Sequence, residues 1–175
     1  QPAGTDEIIL SDAGTLKRLD IKHIQNTPAF AATTNAATSI SDDTATKIPF
    51  NTEIFDSDSA YDASSNYRFT PGVAGKYYWY IDASGYSDSD GGLDKMRLKL
   101  YKNGAVIYQS FNDHGGGGDA GSTREENNSI IGMIDLDDDD YIEAYIHVNF
   151  QDAGAFNLQG GTTYNRFGAF RIAGV

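Results

Sequence analysis

Four consecutive large rings, Tyr77, Tyr78, Trp79 and Tyr80, set the strongest constraint on what this chain can fold into. Aromatic residues favour extended backbone, and Pro71, Gly72 and Gly75 punctuate the run before them, so Lys76–Ser84 reads as a strand. Successive strand residues point to opposite faces, which puts Tyr77 and Trp79 on one side and Tyr78 and Tyr80 on the other. One face can fill a domain core. The other needs a second layer or a neighbouring subunit, because a single domain rarely leaves such an aromatic band in water. Solvent-exposed tyrosines and a sugar-stacking platform are the competing readings of the same face.

The rest of the chain repeats short strand-like runs separated by turn signals. Strands are predicted near Ala29–Thr34, Thr46–Phe50, Tyr67–Thr70, Lys95–Lys102, Ala105–Asn112, Asn128–Asp135, Tyr141–Asn149 and Arg166–Ile172. Asn103-Gly104 is the clearest hairpin turn, since both residues tolerate positive φ. In the strand before it, Met96, Leu98 and Leu100 alternate with Arg97, Lys99 and Tyr101. Helical periodicity is absent over any long stretch. The expectation is an all-β antiparallel sandwich or jelly roll with one core, which 175 residues can supply.

Residues 1–27 read differently. Glu7–Ser11 and Thr15–Leu19 flank the turn signal Asp12-Ala13-Gly14 and predict a small hairpin, although Leu16, Leu19 and Ile24 also suit one face of a short helix. The segment has too few apolar residues to bury a core alone. It is expected to be an adaptor, stalk or anchor, with the main domain spanning 28–175. The lack of an initial Met suggests a processed product or part of something longer.

A net charge of −12 repels nucleic-acid phosphates and anionic membrane surfaces. No apolar run approaches the roughly 18–20 residues needed to span a bilayer as a helix. Neither nucleic acid nor membrane insertion is therefore expected. With no cysteine there is neither a disulfide nor a thiolate ligand, which fits assembly in a reducing cytosol.

The order of aromatic and small residues resembles the globular C1q-type domain. Phe50, Asp56, Tyr61, Phe69, Gly75, Tyr77 and Trp79 occupy that family's signature in sequence, and Leu100–Gly104, Tyr141–Glu143 and Phe167–Phe170 are similar to its later strands. Seven residues separate Tyr61 from Phe69, Trp79 stands where Phe is usual, and Ile81 replaces the last aromatic. The resemblance covers residues 28–175. It implies ten strands in two five-stranded sheets, preceded here by the adaptor hairpin, and a compact homotrimer that works by binding. Phe50, Phe69, Tyr77, Trp79, Leu98 and Leu100 are then expected in the core, and Tyr78, Tyr80, Phe167 and Phe170 at the trimer interface. The texture is similar to C1q-type domains of bacteriophage structural proteins, in which an adaptor like DEIILSDAGTLKRLDI precedes the domain.

The motifs of catalysis are missing. His23, His114 and His147 form no metal-binding spacing, no Ser sits in a nucleophile elbow, and Gly115–Gly118 leads toward a strand where a phosphate cradle would need a helix and Lys. Calcium is the one cofactor the composition suits. Asp88, Asp90 and Asp94 space hard-oxygen ligands at near-alternate positions, and Asp137–Asp140 is a second acidic run, though a solvated turn explains both. The sequence therefore points to a non-enzymatic homotrimer of a virion, either a fibre tip touching a host-surface glycan or receptor or a capsid decoration protein. Residues 1–27 would join other virion proteins. The alternative is a secreted, extracellular, calcium-dependent lectin-like module.

Overall fold

The computed structural model describes residues 5–20, 27–87, 93–114, 125–150 and 155–173. It is all-β, with sixteen strands numbered here in chain order and no helix among the described residues. β1 (Glu7–Asp12) and β2 (Thr15–Asp20) pair only with each other, through a turn in which Ala13 and Gly14 both have positive φ. Leu16 and Leu19 thus lie on a strand, while the stretch around Ile24 falls outside the described residues.

One sheet contains β3 (Ala29–Thr33), β4 (Thr38–Ile40), β6 (Thr52–Asp56), β9 (Gly75–Ser87), β13 (Glu125–Leu136), β15 (Phe156–Leu158) and β16 (Arg166–Ala173). The facing sheet contains β5 (Thr46–Lys47), β7 (Tyr61–Asp62), β8 (Arg68–Phe69), β10 (Leu93–Lys102), β11 (Ala105–Gln109), β12 (Asn112–Asp113) and β14 (Ile142–Phe150). Each has seven strands but only five positions across its width. β13 occupies one whole edge of β9, so β15 and β16 share the other edge end to end, followed by β4 and β3. In the facing sheet β11 and β12 share one edge of β10, and β5 and β8 share the outer edge of β14. The result is a jelly roll of two five-position antiparallel layers. The predicted Ala105–Asn112 strand is broken into β11 and β12, and β4, β6, β7 and β15 are strands that residue patterning does not single out.

The core lies between the layers and is built by alternation. β9 buries Gly75, Tyr77, Trp79, Ile81, Ala83, Gly85 and Ser87, while β10 buries Met96, Leu98 and Leu100 against Ile142, Ala144, Ile146 and Val148 of β14. Phe50 and Phe69 are also fully enclosed. Phe30 organises the aromatic cluster, stacking on Tyr61 at 4.4 Å and Phe69 at 4.7 Å, with Phe167 edge-on at 5.0 Å. The Tyr61 hydroxyl donates to the Phe50 carbonyl at 2.9 Å, so a polar atom enters the core with its partner. Asp56, the acidic residue of the C1q-like pattern, accepts from the Ala60 and Tyr61 amides at 3.1 and 2.9 Å and fixes the loop that delivers that ring. The Asn103-Gly104 turn has positive φ at both residues, as a tight hairpin requires.

One buried polar residue ties the first sheet together. Asn165 donates to Thr34 Oγ1 at 2.8 Å and to the Gln159 carbonyl, accepts from the Ser84 amide at 2.8 Å, and its own carbonyl accepts from Thr33 at 2.7 Å. Replacing it with Leu orphans the Ser84 amide, at a cost of about 1–3 kcal/mol for a buried group left unpaired, while the Gln159 carbonyl keeps the Thr34 hydroxyl as a donor at 3.3 Å. Asn165→Leu is expected to lower the denaturant midpoint without changing the slope of unfolding, and an unchanged midpoint would show that the network contributes nothing.

Candidate functional site

The outer face of the β9 sheet is an apolar surface that alternation leaves uncovered. Register places Met133, Tyr78 and Phe170 in one row across β13, β9 and β16. The next row runs Ile131, Tyr80, Gly168, Ala31 and Phe55 across β13, β9, β16, β3 and β6. Tyr78 and Phe170 touch with ring centroids 5.2 Å apart. Tyr80 lies down over Gly168, where an added Cβ would sit 2.5 Å from the phenol oxygen, so the glycine is what lets the ring flatten against the sheet. Burial of that phenol pushes its pKa up. Met133 is 76% exposed and Ile131 57%, with Phe55 and Phe170 also in water. Charged pairs bound the patch: Lys76 reaches Asp135 at 2.8 Å at one end, and Asp82 accepts from Ser129 across from Arg166 at the other.

A second apolar strip lies on the edge of the facing sheet, where Val106, Ile107, Tyr108 and, beyond the strand, Phe111 are all exposed. Tyr108 also packs edge-on against Trp79, with centroids 5.5 Å apart. Trp79 in turn fits because β13 carries Gly132, whose hypothetical Cβ would be 2.7 Å from the indole.

Of the four residues predicted at an interface, Tyr78 and Tyr80 are half-buried and Phe170 is exposed on this face. Phe167 is not: it is fully buried and packs on Phe30, Phe50 and Tyr61. The reason is parity, since residues three apart on a strand project to opposite faces, and Phe167 pairs with inward Ile81 while Phe170 pairs with outward Tyr78. Met133, Ile131 and Phe55 join the face although the aromatic pattern does not mark them. Alternation along Asn128–Asp135 contains that signal for the first two; Phe55 needs the register of β6 against β3.

Of the predicted calcium ligands, Asp88 and Asp90 lie outside the described residues, and Asp94 is half-buried at the start of β10 with its carbonyl accepting from the His114 amide at 2.7 Å. In the second acidic run, Asp137, Asp138 and Asp139 are exposed with carboxylate oxygens within 4.8 Å of one another. Asp140 differs. It ion-pairs with Lys102 at 2.6 Å, accepts from Asn103 at 2.6 Å and from the Asp137 amide at 2.7 Å, and so latches this loop to the Asn103-Gly104 hairpin. His114 approaches Glu126 at 3.4 Å and His147 approaches Asp43 at 3.2 Å. A shallow cleft of about 340 Å³ is lined by Ser84, Glu125, Glu126, Asn127 and Tyr164 among others.

No protein-family model matches the chain, and no curated protein matches it. Solved structures do share its fold. The chain is similar to the TNF protein Eiger from S. frugiperda, with 11% identity, a TM-score of 0.58, and 84% of this chain and 93% of that one covered. It is similar to murine APRIL, with 13% identity, a TM-score of 0.59, and coverage of 82% and 98%. It is similar also to the globular domain of the zebrafish complement 1qA protein, with 18% identity, a TM-score of 0.57, and coverage of 85% and 100%. The fold is therefore the TNF- and C1q-type jelly roll, the architecture the aromatic signature implies.

The Asp140 latch has a pH consequence. The Asp137 amide above all, with Lys102 and Asn103, holds the carboxyl down at about 2 from an ordinary 3.8. A lowered folded pKa means that the latch stabilises fully above the unfolded value and is lost as pH falls from about 4 through 2. The stability gap between wild type and Asp140→Asn, measured by denaturant unfolding at stepped pH, is expected to be constant from neutrality to about pH 5 and to close toward pH 2. A gap that persists at pH 2 would remove the carboxylate as its source.

Proposed function

We propose that this chain is a non-enzymatic, homotrimeric structural and binding protein of a bacteriophage particle, serving as a fibre or spike tip or as a capsid decoration protein. The observation that supports it is the apolar outer face of the β9 sheet together with the apolar edge of β11. An exposed face and a different exposed edge suit a head-to-tail contact, in which the edge of one copy meets the face of the next and the ring closes. Moving a large apolar side chain fully out of water is worth about 1.5–3 kcal/mol. That exceeds the about 0–1 kcal/mol of an exposed pair such as Lys76–Asp135, so Met133, Ile131, Tyr78 and Phe170 would supply the affinity and the flanking charges the register.

Residues 1–27 are the proposed link to other virion proteins. A two-stranded hairpin is at best marginally stable by itself, and β1–β2 carries Ile9, Leu10 and Leu16 exposed. The likeness of Asp6–Ile21 to adaptors of phage structural proteins supports the virion assignment. Detection of the chain in purified particles tests it.

Light scattering at micromolar concentration is expected to give three times the 18.9 kDa chain mass. Tyr78→Glu combined with Met133→Glu is expected to reduce this to one chain mass while the β-sheet circular dichroism persists. A monomeric wild type, or a variant that assembles as before, would refute the interface.

The second reading is a secreted glycan-binding module that needs calcium, supported only by the exposed carboxylates of Asp137, Asp138 and Asp139. If it holds, EDTA lowers both the melting temperature and glycan binding, and added calcium restores them. On the virion reading, neither melting temperature nor assembly responds to EDTA.

A further inference from the structure

The opposite surface, the outer face of the β10 and β14 sheet, has another chemistry. Lys95, Arg97, Lys99 and Tyr101 alternate outward along β10, opposite Asn149, His147, Tyr145 and Glu143 of β14, with Lys47 and Arg68 one strand further on. Five of the chain's 13 cations, Lys47, Arg68, Lys95, Arg97 and Lys99, stand on this face, in a chain of net charge −12. Tyr101 and Tyr145 form a half-buried ring pair with centroids 4.1 Å apart, and Arg68 lies over Tyr141 at 4.6 Å.

The acids on this face are largely engaged. Glu143 is buried against Lys47 at 2.6 Å, Asp62 is occupied by the Ser64 and Ser65 amides, Asp43 sits beside His147, and Asp113 stands across from Lys95 at the margin. Among the described residues, no carboxylate pairs with Arg97 or Lys99. Arg97 instead lies 4.8 Å over the Phe111 ring. Among the described residues three buried side-chain nitrogens find no hydrogen-bond partner, and two of them, Arg97 Nε and His147 Nδ1, belong to residues directly opposite each other in the ladder. These two atoms are enclosed, so what the face offers an outside partner is the rest of the Arg97 guanidinium and the Lys99 ammonium.

We propose that this face binds an acidic polysaccharide, with a pyranose ring stacked on the Tyr101–Tyr145 pair and its carboxylates and hydroxyls taken by Arg97 and Lys99. Sugar carboxylates and hydroxyls both accept hydrogen bonds, which suits a guanidinium beside an ammonium. Sparse sugar carboxylates also suit a few cations on an acidic protein better than duplex DNA, which carries one charge per roughly 1.7 Å. This proposal stands whether or not the opposite face assembles.

Calorimetry with the full chain would compare oligogalacturonate, neutral dextran and a DNA oligonucleotide of matched charge. Oligogalacturonate alone is expected to bind. Arg97→Ala with Lys99→Ala is expected to weaken it about tenfold or more, the loss of two charge-assisted hydrogen bonds. Tyr101→Ala with Tyr145→Ala is expected to weaken it severalfold, and Arg166→Ala, on the other sheet, to leave it unchanged. If the tyrosine pair proves necessary for folding, Lys99→Glu supplies the same reading from a side chain outside the core. Absence of oligogalacturonate binding, equal binding of DNA, or loss in Arg166→Ala alone would overturn the proposal.

Discussion

The strict inward–outward alternation of β9 is the constraint on which the rest of the structure depends. Its thirteen residues pair with β13 along one edge and with β16 and β15 along the other, so a slip of one position would carry Tyr77, Trp79 and Ile81 into water and bring Lys76 and Asp82 into the core. That double pairing fixes the register of the whole sheet. It also determines that Tyr78 and Tyr80 must appear outside, beside whatever β13 and β16 present at the same level.

The two outer faces of the sandwich therefore diverge in chemistry for a common reason. Inward positions in both sheets are filled by apolar side chains that meet in one core, and the outward positions are free to specialise. On the β9 sheet they carry Met133, Ile131, Tyr78 and Phe170, with Tyr80 lying flat over Gly168. On the β10 sheet they carry lysine, arginine, histidine and tyrosine. An apolar face and a polar, cation-bearing face on opposite sides of the sandwich would let the assembly and the recognition proposed above proceed without competing for surface.

Much of this organisation is legible in the residues. The alternation of Met96, Leu98 and Leu100, the Asn103-Gly104 turn and the aromatic run at 77–80 each give strand, turn and facing directly. Phe167 shows the limit of counting aromatics without parity: three residues before Phe170 on the same strand, it belongs to the opposite face and to the core. The short strands β4, β6, β7 and β15 carry too few residues to show a period, and each is defined by its pairing, with β15, β3, β8 and β9 respectively.

By itself the sequence determined the class of fold, the alternating faces of β9 and β10, and the absence of a recognisable catalytic motif, because these follow from local periodicity and residue chemistry. Only the tertiary structure decided which strands share a lane, that Phe55 joins the apolar face, that Asp140 is latched to Lys102 while its three neighbours are exposed, and that Arg97 and His147 stand opposite each other across β10 and β14. Each of these depends on register between segments distant in the chain, and register is a property of pairing, which no single segment contains.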